Sequence, residues 1–521
     1  MIRRGFVDVG GRAVHYRRAG AGPPVVMLHG SPGDGQMLTT EILACADHFT
    51  VFALDTAGFG YSDALVGDVL TVPELAAATA AAMRALSLPP CPVYGTHTGA
   101  AIAIELGVGF PEVVTGVVLE GLPAFTDKEI EALFGGYFAP LVPDPLAGHL
   151  TTTWMRFRDQ FTWFPWLSRD VTRLNAIPRP GAEDIDLWVT MFYRSCKTYR
   201  PAYRAACYYG QAAIRAAAAL RVPAVYTAAV EDMLFPHLDR LPALGQGQTV
   251  EKLPSAEPGR SAAIIAFLAR FSAAGDAPGE PAISPNSAKL FIGTPQGQVF
   301  VRRYGDPGAP AVVLLHDAPG TSLGLHELAT ALAPTHHVIV PDHPGSGLTG
   351  LPGGGDILDA AADNVLAATS ALGAGRFAVA ALGCGAAVAA RLTARAPARI
   401  TTLAAAAPPH GDTAFAGQVA PEIALSPTGA HWLKAWLMLR DGQIYDPWFD
   451  GSVAAQRRTQ GNFDAVWLHD QTAALMEGRA TYHQFARAAA SCSAAEALAG
   501  GPAAVMLSAN SFNAATLAGI L

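Results

Sequence analysis

The feature that most constrains this chain is that it contains itself twice. "PPVVMLHGSPG" (23–33) returns as "APAVVLLHDAPG" (309–320), and "VFALDTAGFGYSD" (51–63) returns as "VIVPDHPGSGLTG" (338–350). These pairings set His29 against His316 and Asp55 against Asp342. Further on, "GHLTTTWMRFRDQFTWFPW" (148–166) matches "AHWLKAWLMLRDGQIYDPW" (430–448), and Trp188 and Tyr203 find Trp467 and Tyr482. A register held over most of each half marks a tandem duplication, so the fold of one half dictates that of the other. The length of 521 residues agrees, because one hydrophobic core rarely organises more than about 300 residues.

The joint falls in "AAGDAPGEPAISPNSA" (273–288), whose Ala, Gly, Pro and Ser content suits a linker. This predicts domains over 1–273 and 287–521, joined by 274–286. Each half opens with a hairpin (5–17; 289–304), followed by a buried strand (24–28; 311–315) and a second strand (50–54; 337–341). A strand running into an apolar helix comes next, and then "GVVLE" (116–120) or "TTLAAA" (401–406). Apolar runs without alternation, separated by helical patterns, indicate an α/β fold with a parallel sheet covered on both faces. The helix-rich, aromatic inserts 122–215 and 407–495 precede the next core strands, 222–229 and 503–509. There they are expected as caps over the carboxyl ends of the strands, where ligands of open α/β sheets bind.

Composition narrows the function classes. The net charge is −8 with no Lys/Arg block, which argues against nucleic acid as a partner. Six cysteines (45, 91, 196, 207, 384 and 492) are scattered without metal or C-x-x-C spacing. No uninterrupted apolar run of about 18 residues and no signal-peptide h-region is present, so a cytoplasmic protein without a membrane span is expected. The preference for Ala, Gly, Pro and Arg over Lys suggests a GC-rich bacterial genome. No dinucleotide or phosphate-loop fingerprint occurs and His336-His337 has no partner ligands, so neither cofactor nor metal is expected.

The chemistry concentrates in "CPVYGTHTGAAIAIELG" (91–107). A strand runs through Gly-x-His-x-Gly into a helix, which is the outline of a nucleophile elbow with His97 in the middle position. The second copy reads "FAVAALGCGAAVAA" (377–390), with Gly383 in that position and Cys384 beside it.

Each half resembles the α/β-hydrolase superfamily, in particular capped members such as epoxide hydrolases, haloalkane dehalogenases and carbon–carbon bond hydrolases. The resemblance rests on His29-Gly30 after the first buried strand, "LDTAGFGYSD", the Gly95–Gly99 elbow and the place of the cap. It implies two tandem α/β-hydrolase-fold domains, each with a helical cap, the second stopping short of a last strand and helix. It also implies an oxyanion hole from backbone N–H groups of Thr98 and of Ser31 or Gly30, and an acid at Asp232 in "VYTAAVEDMLFP", preferred over Glu231. Glu120 is a second carboxylate at a strand end, either a site residue or a helix cap. The family's base should fall in "EKLPSAEPGRSAAIIAFL", where Pro258 stands in place of His. In the second copy "SANSFN" (508–513) offers no acid, and Cys384 reads as a small buried residue.

Three readings of His97 stay open. It is a general acid or base oriented by a carboxylate, a nucleophile, or a remnant in a pocket that only binds or packs. His29 reads as shaping its loop, or as pocket wall together with Trp154, Trp166 and Trp188, which otherwise pack the cap. The expected ligand is a small to medium, mostly apolar organic molecule. A missing last strand in the second copy would leave an open sheet edge, a place for a homo-oligomer contact.

Overall fold

The computed structural model describes all residues except 176–177, 274, 410, 412, 459 and 500–503. The predicted linker start at Ala274 and strand start at Ala503 lie outside the described residues. The chain divides into two compact units, Met1–Leu141 with Thr152–Ser287, and Ala288–Leu521 with Val142–Thr151. The segment Val142–Thr151 belongs to the first insert in sequence and groups with the second unit, which the repeat pattern did not reveal.

The first unit carries β1 (Arg3–Val9), β2 (Arg12–Ala19), β3 (Pro24–Leu28), β4 (Thr50–Leu54), β5 (Cys91–Thr96), β6 (Val114–Glu120), β7 (Ala224–Ala228) and β8 (Gln248–Lys252). They form one sheet in the order β1-β2-β4-β3-β5-β6-β7-β8. β1 and β2 pair antiparallel, as do β2 and β4, and the rest of the sheet is parallel. Every residue of β3, β4, β5 and β7 is buried, as the unbroken apolar runs require of strands with helices on both faces. One face packs Val25, Met27, Val51 and Tyr94 against Ile42 of helix Thr39–Cys45 and Phe267 of helix Gly259–Ala269.

The second unit repeats this with β9 (Lys289–Thr294), β10 (Gly297–Tyr304), β11 (Ala311–Leu315), β12 (His337–Pro341), β13 (Phe377–Leu382), β14 (Ile400–Ala406) and β15 (Ala504–Leu507). The order is β15-β14-β13-β11-β12-β10-β9, the same topology without an eighth strand among the described residues. After β15 a short helix, Ala514–Ile520, sends Leu517 into the apolar face that also holds Val312, Leu314 and Leu332. The face that the sequence reading left without a last helix is thus covered, although its strand is missing. β15 stands at the sheet edge with Val505 and Met506 exposed.

Each cap is tied down in the same way. Thr198 Oγ1 donates to the carbonyl of Gly58 at 2.8 Å, and Thr481 Oγ1 donates to that of Gly345 at 2.7 Å. The two repeated aspartates also hold corresponding corners, with different partners. Asp55 takes Arg17 Nη1 at 2.6 Å, His15 Nδ1 at 2.8 Å and the N–H groups of Gly35 and Tyr61. Burial, outweighing the pull of Asp55, drives the His15 pKa down to about 4, so Arg17 supplies the counter-charge. Asp342 has only the N–H groups of Ser322 and Leu348 among the described residues. Removing one partner of a buried ion pair strands the other charge, whereas losing a carboxylate that serves backbone donors costs less. Asp55→Ala should therefore lower stability by about 3–5 kcal/mol and Asp342→Ala by about 1–3 kcal/mol. Urea titration of both variants checks this, and equal losses would refute the ion-pair account.

Candidate active site

The site begins with a backbone constraint. β5 ends at Thr96 and the next helix runs Thr98–Gly109, leaving His97 at the corner with φ 51° and ψ −106°. A side chain held in that region costs about 1–3 kcal/mol and points where the corner sends it. Gly99 is required by close approach, since a Cβ there would lie 2.1 Å from the carbonyl oxygen of Leu28. A Cβ on Gly95 would lie 2.2 Å from that of Gly99. In the second unit Gly383 has the same φ of 51°, and a Cβ on Gly385 would meet the carbonyl oxygen of Leu315 at 2.6 Å. Both corners are therefore built alike, with opposite choices of side chain.

His97 Nε2 lies 2.7 Å from Asp232 Oδ2. Asp232 follows β7 and also accepts the N–H of Leu234 at 2.8 Å, which fixes its second oxygen. The ring keeps 41% of its surface open against 13% for Asp232, and Nδ1 bonds no protein group among the described residues. Gly121, at φ +61°, makes room for the pair, because a Cβ on it would lie 2.5 Å from His97 Cδ2. Sequence reasoning missed Gly121, although a glycine directly after a strand-end glutamate is a visible signal.

Burial alone would lower the His97 pKa, but the charge of Asp232 and the hydrogen bond to it outweigh burial and raise it to about 9. For Asp232 burial pushes upward, and the His97 charge with its hydrogen bond overcomes this to leave a pKa of about 2. The His97 contribution to stability is complete below its ordinary 6.5 and is lost as pH rises through about 9. The Asp232 contribution is complete above its ordinary 3.8 and is lost as pH falls through about 2. At neutral pH the pair is imidazolium with carboxylate.

The structure separates Glu120 from this pair. Both Glu120 oxygens take Arg260 Nη2 at 2.8 Å, and Tyr94 donates its hydroxyl to the same carboxylate. Arg260 also reaches Glu41 at 3.3 Å. Glu120 makes no hydrogen bond to the His97 ring, and what links them is the backbone bond from His97 N–H to the Glu120 carbonyl at 2.8 Å. Glu231 bonds Ser255 instead of His97.

A hollow of about 60 Å³ lies over His97, lined by Ser31, Thr98, Phe125, Phe134, Phe164 and Tyr203 among others. His29, Trp154, Trp166 and Trp188, the expected pocket wall, are not among the residues that line this hollow. His29 is fully buried, with Nδ1 facing the Gly30 carbonyl at 2.9 Å and Nε2 accepting the N–H of Thr56 at 3.0 Å, so it ties two loops together. Trp154 is buried, Trp188 stacks on Phe157, and Trp166 packs over the Arg156 guanidinium. Of the three indoles only Trp154 is part of the buried core.

The second unit shows where an oxyanion hole would sit. Asp317 Oδ1 accepts the N–H groups of both Ala318 and Cys384 at 2.8 Å. These donors correspond to Ser31 and Thr98. The N–H groups of Ser31 and Thr98 have no protein acceptor among the described residues. Gly30 stands where Asp317 stands, and it leaves the spot open. Burial, with the charge of Asp317, raises the Cys384 thiol well above the usual thiol range, so it is no nucleophile.

A family model described as alpha/beta hydrolase fold matches residues 23–257 and 310–447. The chain belongs to the α/β-hydrolase fold family. Among curated relatives, a pyrrolizixenacetamide deacetylase of Xenorhabdus hominickii is 33% identical over 22% of this chain and 43% of its own. A 2-hydroxy-6-oxo-2,4-heptadienoate hydrolase of Pseudomonas putida is 31% identical over 27% of this chain and 52% of its own. The chain thus spans about half or less of the curated relatives it matches. Among solved structures, an epoxide hydrolase from an endophytic Streptomyces aligns with 52% of this chain and 95% of its own, at 20% identity and a TM-score of 0.41. No helix among the described residues is long and apolar enough to cross a membrane. None of their His, Cys, Asp and Glu side chains form a group that could hold a metal ion.

Titrating the His97 ring by NMR should give a midpoint near 9. In Asp232→Asn the midpoint should fall below 6.5, because burial is then the larger influence. A wild-type midpoint at or below 6.5, or none of this fall in the variant, would dismantle the ion-pair assignment.

Proposed function

We propose that the first unit is an enzyme of acid–base chemistry centred on His97, acting on a small, mostly apolar organic substrate that carries a carbonyl or carboxylate oxygen. One observation carries this reading: the imidazole is held by Asp232 at 2.7 Å, lines the hollow, and leaves Nδ1 without a protein partner among the described residues. In the imidazolium form Nδ1–H is the acid, Asp232 keeps the ring oriented through Nε2–H, and the proton lost to substrate returns from solvent. The N–H groups of Ser31 and Thr98 are the proposed donors to a developing oxyanion. Hydrolase membership and the hydrolases among the relatives support a hydrolytic outcome. The raised pKa favours protonation steps, of the kind found in elimination, isomerisation or cyclisation, over activation of water by a neutral imidazole.

A specific observation favours the alternative of an inactive, ligand-binding or scaffolding protein. The hollow over His97, about 60 Å³, is well below the size of sites that usually bury small organic molecules. Esters, epoxides and cyclisable ketones, offered to wild type, His97→Ala and Asp232→Ala, separate the two readings. The enzyme reading expects turnover that falls about 10²–10⁴-fold in His97→Ala and declines as pH rises through about 9. A rate that rises through that pH would make His97 a base, and unchanged turnover in both variants would remove the site. The exposed edge of β15 is the proposed place for a homo-oligomer contact.

A further inference from the structure

A hollow of about 720 Å³ in the second unit stands over its nucleophile-position corner and is lined by Asp317, Gly383, Cys384, Met438, Leu439 and Trp448 among others. Sequence reasoning found this unit without a nucleophile at Gly383 and without an acid in 508–513. The volume follows from the same substitutions. Across the duplication His97 falls opposite Gly383, and Phe164, which fills the first unit's hollow, falls opposite Asp446. A volume of this size lies in the range of sites that bury small organic molecules.

Asp317 supplies the polar feature of the floor. Its Oδ1 is fixed by two backbone N–H groups, and a Cβ on Gly383 would lie 2.0 Å from that oxygen, so the corner glycine and the carboxylate depend on each other. Oδ2 has no N–H or O–H donor among the described residues, the Cys384 thiol adds a weak S–H donor to the carboxylate, and Asp317 is open to the hollow. The one cationic side chain among the described lining residues is Arg457, which is already 3.6 Å from Asp446. The remaining wall is mostly hydrocarbon, aromatic or proline. An oriented carboxylate without a counter-ion, at the base of an apolar cavity, is chemically matched by a cationic donor with a hydrophobic body.

We propose that the second unit is a binding site for mostly apolar amines, with the ammonium group on Asp317 Oδ2 and the hydrophobic body against Met438, Leu439 and Trp448. This site is independent of the chemistry proposed for His97. The two units then present opposite polarity at equivalent corners.

The test uses the full chain at neutral pH and three probes of equal length, 4-phenylbutylamine, 4-phenylbutanol and 4-phenylbutanoate, with binding measured by calorimetry. The amine should bind at least about 10-fold more tightly than the alcohol, while any binding of the carboxylate belongs to the His97 site and should persist in Asp317→Asn. Asp317→Asn keeps the size of the side chain and removes its charge, so amine affinity should drop to that of the alcohol. Equal affinity for amine and alcohol in wild type, no binding of the amine, or an unchanged amine affinity in Asp317→Asn would each overturn the proposal. If Asp317→Asn does not fold, the ranking of amine over alcohol on wild type decides by itself.

Discussion

Both units depend on one close approach of backbone to backbone. The helix after the elbow strand can start only because Gly99 lies against the carbonyl of Leu28, and Gly385 against that of Leu315. That contact sets the corner, gives residue 97 or 383 its φ of 51°, and turns the N–H of the next residue toward the floor of a cavity. Everything chemical in the molecule is a choice about what stands at that point. In the first unit the corner residue carries an imidazole, and Asp232 makes it a cation. In the second the corner residue carries nothing, and a carboxylate from the neighbouring loop takes the two amides instead. The duplicated scaffold has been used to place charges of opposite sign at one structural position.

Much of this was legible in the sequence, for identifiable reasons. The duplication, the sheet and the corner glycines follow from local text, because apolar runs and glycine spacing report what the backbone must do. Asp232 was legible because its place after the next-to-last core strand is fixed by topology. Its direct bond to His97 was not, since the acid and the elbow residue are 135 positions apart. The expected base was read as a plain loss at Pro258. The nearby Arg260 was invisible as a partner for Glu120 until helix Gly259–Ala269 was laid beneath β5 and β6.

The cap was the least readable part. A helical period says which residues share a face without saying whether that face meets the cap's own core or a cavity. Trp154 met the core and Trp166 and Trp188 packed on Arg156 and Phe157, while the wall over His97 came from Phe125, Phe134, Phe164 and Tyr203. Asp317 drew no reading for a related reason. "HGSPG" and "HDAPG" stood aligned on the page, yet the extra carboxylate means little until its reach to the amide of Cys384, 67 residues away, is known.

The same geometry separates an empty catalytic position from a lost one. A serine replaced by glycine is usually counted as decay, because the nucleophile is gone and nothing else is asked of the position. Here the glycine is what the neighbouring group requires, since any Cβ at 383 would occupy the place of Asp317 Oδ1. Desolvation raises the Asp317 pKa and penalises its charge even though the side chain opens to the hollow. Two backbone donors aimed at one oxygen offset that penalty, and they are the donors an acyl-transfer enzyme would keep for its transition state. In the second unit a resident carboxylate takes the two amides that a developing oxyanion would need, an arrangement that suits the cation proposed for it.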